Sequence, residues 1–84
     1  MDEQTILAKL TEIFREVFED DAIVLTRATT AEDIPQWDSM NHITIVVETE
    51  RRFGIKFRTA EIEELKNVGE LADLVAAKLA KGAG

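Results

Sequence analysis

Apolar positions recur at intervals of three and four near the start of the chain. The positions are Ile6, Leu10, Ile13, Phe14, Val17 and Phe18. This spacing places their side chains on one face of an amphipathic helix, which we predict for residues 4–19. Asp2 and Glu3 favour the beginning of this helix. The acidic run 19–21 disfavours its continuation, because the C-terminal end of a helix carries partial negative charge.

A long polar connection, residues 20–37, follows the first helix and contains the only proline, Pro35. Loops of this length in compact domains are usually functional or carry their own anchors. Four apolar residues are the candidate anchors: Ile23, Val24, Leu25 and Ile34. They would hold the loop over the core, so that Trp37 and the residues after it lie at a fixed place. The alternative is a tolerated linker.

The next predicted helix, residues 39–53, carries two apolar stripes instead of one. One stripe is Ile45, Thr49 and Phe53, and the other is Met40, Ile43 and Val47. Burial of both stripes is the favoured interpretation, because a small domain has little other apolar surface to bury. The alternative leaves the second stripe to a partner. Gly54 suits the end of the helix, since glycine readily adopts the left-handed conformation.

We predict no sheet in the segment after the second helix. Residues 55–57 are too few and too isolated to pair as a strand, and we expect an extended segment held by its apolar side chains. Thr59 is expected to cap a short helix over residues 60–65.

A last helix is predicted for residues 68–81. Asn67 with Glu70 resembles a capping box at its beginning, and Gly82 is expected to end it. Its apolar face is formed by Leu71, Leu74, Val75 and Leu79. We therefore predict an all-α fold, a small bundle of three principal helices plus one short helix, in a single domain of residues 1–84.

The composition limits the function classes that the chain can hold. Its 84 residues carry a net charge of −7 and no cysteine. A surface this acidic disfavours nucleic acid and anionic membranes as partners and favours basic protein surfaces. Without cysteine the chain forms no disulfide, and any thiol chemistry must come from outside it. Because no long apolar segment or signal peptide is visible, we expect a monomeric cytoplasmic protein.

Ser39 is the candidate for covalent chemistry because it stands at the predicted beginning of the second helix. The first amide N–H groups of a helix lack internal acceptors and lie at the positive end of its dipole. A phosphate on this hydroxyl would therefore meet hydrogen-bond donors. The alternative is that Ser39 only caps the helix, as most serines in this position do.

A serine hydrolase is a competing interpretation of the same segment. Ser39 and His42 are three residues apart on one predicted helix, and Asp33 or Asp38 could complete a triad. A triad also needs an oxyanion hole and a substrate cleft, and the sequence contains no Gly-x-Ser-x-Gly elbow. We therefore expect no catalytic residue and no metal site, with a structural or mildly titrating role for His42.

Three blocks together resemble the acyl carrier proteins over nearly the whole chain. They are residues 37–43 (Trp-Asp-Ser-Met-Asn-His-Ile), 53–55 (Phe-Gly-Ile) and 67–71 (Asn-Val-Gly-Glu-Leu). The resemblance implies that Ser39 receives 4'-phosphopantetheine from coenzyme A through a phosphopantetheinyl transferase. It further implies that the thiol of this arm carries an acyl group as a thioester, and that the chain is a carrier and not an enzyme.

The resemblance also assigns roles to the neighbours of Ser39. Asp38 is implied to assist the transferase through the magnesium ion of that enzyme, and its alternative role is a helix cap. Trp37 is expected to anchor the loop or to lie partly in the core, and the alternative is a contact with the arm. The implied partner surface lies on the second helix and consists of Met40, Ile43, Thr44, Val47, Glu48 and Arg51.

Some positions of the second helix depart from carriers of bacterial fatty acid synthesis, which tend to be acidic there. These positions are Asn41, Thr44, Arg51 and Arg52. Basic patches on partner enzymes read that acidic helix in the family, so the departures argue against a housekeeping role. We therefore expect a specialised carrier for lipid, fatty acid or polyketide biosynthesis, with dedicated acyl-loading and acyl-processing enzymes. The alternatives are an aminoacyl carrier, for example for D-alanine, a peptidyl carrier, and an interaction module without an arm.

Overall fold

The computed structural model describes residues 2–81 and confirms the all-α prediction. The elements are α1 (Glu3–Phe18), α2 (Ser39–Phe53), α3 (Thr59–Glu63) and α4 (Val68–Ala80), with no strand among the described residues. Helix α1 packs against both α2 and α4 and is the central element of the bundle. None of the described helices combines the length and the apolar character needed to cross a lipid bilayer.

Helix α1 begins one residue earlier than predicted because Asp2 caps it. The Asp2 carboxylate accepts a hydrogen bond of 2.8 Å from the N–H of Thr5, and hydrogen bonding to Thr5 lowers the pKa of Asp2. The helix also ends one residue early, at Phe18. Glu19 has a left-handed backbone with a φ of 53°, which directs the chain away from the helix axis.

The hydrophobic core lies between α1, α2 and α4, and Phe14 is at its centre. Phe14 is fully buried and meets Trp37 edge to face, with ring centroids 5.0 Å apart. The other principal core residues of the helices are Ile6, Leu10, Ile13, Ile45, Phe53, Val68, Leu71, Ala72 and Val75. Val17 and Phe18, which extend the apolar face of α1, are only partly buried against this core.

Three of the four predicted anchors hold the loop between α1 and α2. Ile23, Leu25 and Ile34 are buried in the core, whereas Val24 is 70% exposed. The prediction for Val24 is wrong because its two neighbours point into the core and its own side chain points away, as in an extended chain. Arg15 of α1 fixes the same segment, since its Nε donates to the carbonyl oxygen of Ile23 at 2.7 Å.

The middle of this loop is bound to the beginning of α4. The N–H groups of Val68 and Gly69 donate to the carbonyl oxygens of Thr29 and Arg27, at 2.8 and 2.9 Å. These are the first amides of α4, for which the helix itself offers no acceptor. A Cβ atom at Gly69 would lie only 2.9 Å from the Arg27 carbonyl oxygen, so the close approach requires glycine. The loop is therefore an integral part of the fold and not a linker.

The side chain of Arg27 adds ion pairs to two helices. It donates to both carboxylate oxygens of Asp73 on α4, at 3.0 and 2.9 Å, and pairs with Glu3 on α1. Hydrogen bonding to Arg27 lowers the pKa of Asp73. Stabilisation by this pair is therefore present at neutral pH and is lost as the pH falls through the lowered pKa.

Residues 55–58, between α2 and α3, form neither a helix nor a strand. Helix α2 ends at Phe53, and Gly54 closes it with a left-handed φ of 67°. Ile55 is buried in the core. The N–H of Phe57 donates to the carboxylate of Glu50 at 2.7 Å, which holds the segment against the end of α2.

Helix α3 begins one residue earlier and ends two residues earlier than the predicted range 60–65. Thr59 is its first residue and not its cap. Arg58 occupies the cap position, and its N–H donates to the carboxylate of Glu61 at 2.8 Å. Glu61 fixes the first turn in this way, so no side-chain oxygen is needed from Thr59.

Helix α4 begins as predicted and ends one residue before the predicted end. The side chain of Asn67 accepts a hydrogen bond of 2.8 Å from the N–H of Glu70. The carboxylate of Glu70 accepts from the N–H of Lys66 and not from that of Asn67, so the contact is displaced by one residue from a capping box. Lys81 follows the last helical residue, and Gly82 lies outside the described residues.

Candidate functional site

The start of α2 is set by the residue before Ser39. The carboxylate of Asp38 accepts a hydrogen bond of 2.9 Å from the N–H of Asn41 and caps the helix. Ser39 is the first helical residue. The interpretation of Ser39 as a cap is therefore wrong, because Asp38 already fills that position and leaves the Ser39 hydroxyl outside the capping contacts.

The surroundings of Ser39 suit an anionic group. Its side chain is exposed, and the N–H groups of Ser39 and Met40 find no acceptor within residues 2–81. The equivalent amides of α4 differ, since loop carbonyls occupy both of them. Free amides at the positive end of a 15-residue helix are donors for a phosphate oxygen.

Trp37 holds the segment before Ser39 in the core. Only 9% of its surface is exposed, and its ring packs edge to face on Phe14. Its indole N–H donates to Nδ1 of His42 at 3.1 Å, which binds the loop to the first turn of α2. A second contact has the same effect, because the side-chain amide of Asn41 donates to the carbonyl oxygen of Gln36 at 2.7 Å. The position of Ser39 is thus rigidly defined.

A groove of about 660 Å³ begins at Ser39. Trp37, Asp38, Ser39 and His42 line it from the start of α2, and Ile62, Leu65 and Lys66 line it from α3 and the residues after it. The side chains of Ile62 and Leu65 suit an extended chain, and the lining also carries charges of both signs, from Lys66 and from Asp38 and Glu63. A phosphate ester with a flexible arm therefore fits the residues that are present. The sequence did not reveal the α3 wall, because no local spacing relates it to Ser39.

The structure does not assemble the catalytic triad of a hydrolase. Both ring nitrogens of His42 face other groups, Nδ1 facing the indole of Trp37 and Nε2 lying 3.4 Å from the carbonyl oxygen of Ile62. The carboxylate of Asp33 accepts hydrogen bonds from the N–H and hydroxyl of Thr30. Within residues 2–81, neither His42 nor Asp33 is therefore positioned to take the proton of the Ser39 hydroxyl.

The second apolar stripe of α2 is exposed, contrary to the favoured prediction. The exposed fractions are 82% for Met40, 54% for Ile43 and 47% for Val47. Burial failed because α2 packs on α1 through its other stripe, and the five residues of α3 do not cover this face. Thr44 is exposed beside them. An apolar surface next to Ser39 is therefore available to a partner.

The C-terminal half of α2 carries a small ion-pair network. Glu48 lies 3.1 Å from Arg51 and 3.7 Å from Arg52, and Arg52 also pairs with Glu16 on α1. The carboxylate of Glu48 is thus neutralised by cations on its own helix. The structure groups the predicted partner residues on one helix but leaves that helix with little free negative charge.

Comparisons with known proteins agree with this geometry. A family model described as a phosphopantetheine attachment site matches residues 8–75. Acyl carrier proteins of Arthrobacter sp. (strain FB24) and Paenarthrobacter aurescens (strain TC1) are each 36% identical over 75 residues, covering 87% of this chain and 90% of theirs. The solution NMR structure of holo acyl carrier protein from Geobacter metallireducens has a TM-score of 0.85 at 55% identity. That match covers 90% of this chain and 87% of the other.

The agreement extends from sequence to backbone. The family match includes α2 entirely and reaches into both α1 and α4, and the curated relatives align over nearly their full length. A short sequence motif shared by chance would not also be accompanied by the same backbone fold. The chain belongs to the acyl carrier protein family.

Proposed function

We propose that Ser39 is the residue to which 4'-phosphopantetheine is attached. Family membership makes the chain a carrier and not a catalyst, and a phosphopantetheinyl transferase modifies it with this covalent group. The terminal thiol of the group holds acyl chains as thioesters. The observation that carries the proposal is the exposed Ser39 hydroxyl beside two free amides, at the mouth of a groove.

The sequence offers few other side chains to which the arm could be attached. It is the only serine of the chain, and the chain has no cysteine or tyrosine. On modification, the Ser39 hydroxyl loses its proton and its oxygen bonds to the phosphorus atom that carries the pantetheine part of coenzyme A. The pyrophosphate bond of coenzyme A breaks, and 3',5'-ADP leaves. Asp38 caps the helix that Ser39 begins, and it is exposed to solvent, where a transferase could contact it.

The attachment point is tested by incubating the chain with coenzyme A and a phosphopantetheinyl transferase. Intact mass should rise by one phosphopantetheine group, and fragmentation of the product should place the added mass on Ser39. Added mass on a threonine, or no gain with a transferase that modifies a control carrier, would contradict the proposal.

Asp38 has a capping role and a proposed role toward the transferase, which two variants separate. Asp38→Ala should lower the free energy of unfolding by about 1 kcal/mol, because the cap is lost. Asp38→Asn should leave it nearly unchanged, since asparagine caps as well as aspartate. Urea unfolding followed by Trp37 fluorescence measures both. If the carboxylate assists the transferase, Asp38→Asn should be modified more slowly than wild type although the two proteins are equally stable. An equal rate of modification would show that Asp38 acts only as the helix cap.

We further propose a specialised carrier with dedicated partner enzymes, in lipid, fatty acid or polyketide biosynthesis. The partner surface consists of Met40, Ile43, Thr44, Val47, Glu48 and Arg51. Its apolar part is exposed, and its charged part is neutralised within α2. Charge complementarity governs association rate and partner choice, so enzymes with generic basic docking patches should bind this helix weakly.

The charge of Arg51 tests the specialised role. Arg51→Glu should increase turnover of the loaded carrier by a generic fatty-acid elongation enzyme, because it restores acidic character to an exposed position. Arg51 is the better site than Arg52, whose reversal would place a third carboxylate beside Glu16 and Glu48. Lys9→Glu on α1 is the matched control with the same change in charge. No increase for Arg51→Glu, or an equal increase for Lys9→Glu, would argue against this docking surface.

We also propose that residues 1–84 form one carrier domain and that it acts as a cytoplasmic monomer. Sedimentation of the purified chain tests the oligomeric state. The mass of the thioester on protein purified from its native cell identifies the cargo. An acyl group on the arm supports the proposed role. An aminoacyl or peptidyl group would contradict it and indicate an aminoacyl or peptidyl carrier.

A further inference from the structure

His42 joins three parts of the molecule that surround Ser39. Its backbone lies in the first turn of α2, its Nδ1 faces the indole N–H of Trp37 at 3.1 Å, and its Nε2 lies 3.4 Å from the carbonyl oxygen of Ile62 on α3. The rings of Trp37 and His42 are tilted by 33° with centroids 5.9 Å apart. Both walls of the groove therefore meet at one imidazole.

These two contacts select one form of the imidazole. An indole N–H can only donate, so Nδ1 of His42 must carry a lone pair. A carbonyl oxygen can only accept, so Nε2 must carry the hydrogen. The neutral Nε2–H tautomer satisfies both contacts, and neither the other tautomer nor the imidazolium ion does.

We propose that His42 is a positioning residue for the arm, which holds the α3 wall of the groove beside Ser39 only while its imidazole is neutral. A proton on Nδ1 would face the indole N–H of Trp37, and one of the two rings would have to move. Trp37 is fixed in the core by Phe14. His42 is therefore the ring that moves, and its contact with Ile62 is lost with it. The consequence for the arm rests on the proposed attachment at Ser39, whereas the contacts themselves do not.

Other charged groups share this groove and define the controls. Asp38 lies before α2, and Glu63 and Lys66 lie at the end of α3 and after it. Glu63 and Asp38 are exposed, as is Lys66. A pH response of the groove must therefore be assigned to His42 with a variant that removes the imidazole.

NMR of the unmodified chain tests the contacts directly. The sequence holds one tryptophan and one histidine, so each ring gives a single set of signals. In a titration from about pH 8 to about pH 5, the indole N–H of Trp37 and the amides of residues 59–63 should shift with the same midpoint as the ring signals of His42. Ring ¹⁵N shifts above that midpoint should report the Nε2–H tautomer. An indole signal that ignores the His42 titration, or the Nδ1–H tautomer, would overturn the proposal.

His42→Gln supplies the control, because glutamine keeps a donor and an acceptor but does not titrate. The shared pH response of Trp37 and residues 59–63 should disappear in this variant. A response that persists without the imidazole would overturn the proposal. Glu63→Gln should leave the response unchanged.

The modified chain tests the consequence for the arm. The shift differences between modified and unmodified protein in residues 59–66 should shrink at the acidic end of the range for wild type. They should stay constant for His42→Gln. If the shift differences of wild type are equal at the acidic and the basic end of the pH range, His42 does not position the arm. Because the titration of the unmodified chain needs no arm, failure of the attachment at Ser39 is distinguishable from failure of the His42 contacts.

Discussion

Replacing Ser39 with alanine is expected to abolish the mass gain that the chain shows with coenzyme A and a phosphopantetheinyl transferase. The reason is chemical, since the oxygen that would become the phosphodiester oxygen is absent. The loss should be complete, because Ser39 is the only serine and the threonines lie elsewhere on the surface or in the core. Intact-mass measurement after exhaustive incubation reads the result.

The fold should survive this substitution. Ser39 is the first residue of α2 and takes no part in its cap, and alanine is a good helix former. The circular dichroism spectrum and the urea midpoint of Ser39→Ala should therefore match those of wild type. Thr59→Ala is the matched control, since it removes an exposed hydroxyl from the first residue of another helix, α3, and should be modified normally. A mass gain in folded Ser39→Ala would refute the attachment site.

Truncating Phe14 to alanine is expected to lower the free energy of unfolding by about 3–5 kcal/mol. Phe14 is fully buried, and it packs edge to face on both Phe18 and Trp37. Removal of the ring leaves a cavity where α1 meets Trp37, in the loop before Ser39. Small domains are stable by only about 5–15 kcal/mol, so this is a large part of the total. Urea unfolding followed by Trp37 fluorescence measures the change.

Phe18→Ala removes the same ring from the same helix and is the matched control. Phe18 is only partly buried against the core, so its truncation should cost clearly less, because the cost depends on the burial of the removed atoms. Equal losses for Phe14 and Phe18 would show that Phe14 is not the central contact of the bundle.

Local pattern was enough to predict the helices and much of the core. The spacing of Ile6, Leu10 and Phe14 predicted α1 correctly because every turn of an amphipathic helix repeats the same face. The range of α2 was predicted correctly, since Gly54 and the polar residues before Ser39 are local signals. Errors at helix starts arose where a residue before the predicted start took the cap position, as Asp2 and Arg58 did.

The contacts that shape the site could not be predicted from local pattern. His42 and Ile62 are twenty residues apart, and no periodicity connects them. The exposure of Met40 and Val47 depends on how little of α2 the short α3 covers, which is a property of the assembled fold. Apolar spacing alone does not distinguish a face that contacts the core from a face left for another protein.

The carbonyl groups of Arg27 and Thr29 also restrict how this carrier can vary in length. They supply acceptors to the first turn of α4 at a separation of two residues, and Gly69 admits no side chain between them. Insertion within residues 27–29 would break that register and detach both elements together. Extra residues on either side, for example between Glu19 and Ala22, would leave it intact. Natural length differences among relatives, and engineered tags or permuted termini, should therefore concentrate outside this three-residue span.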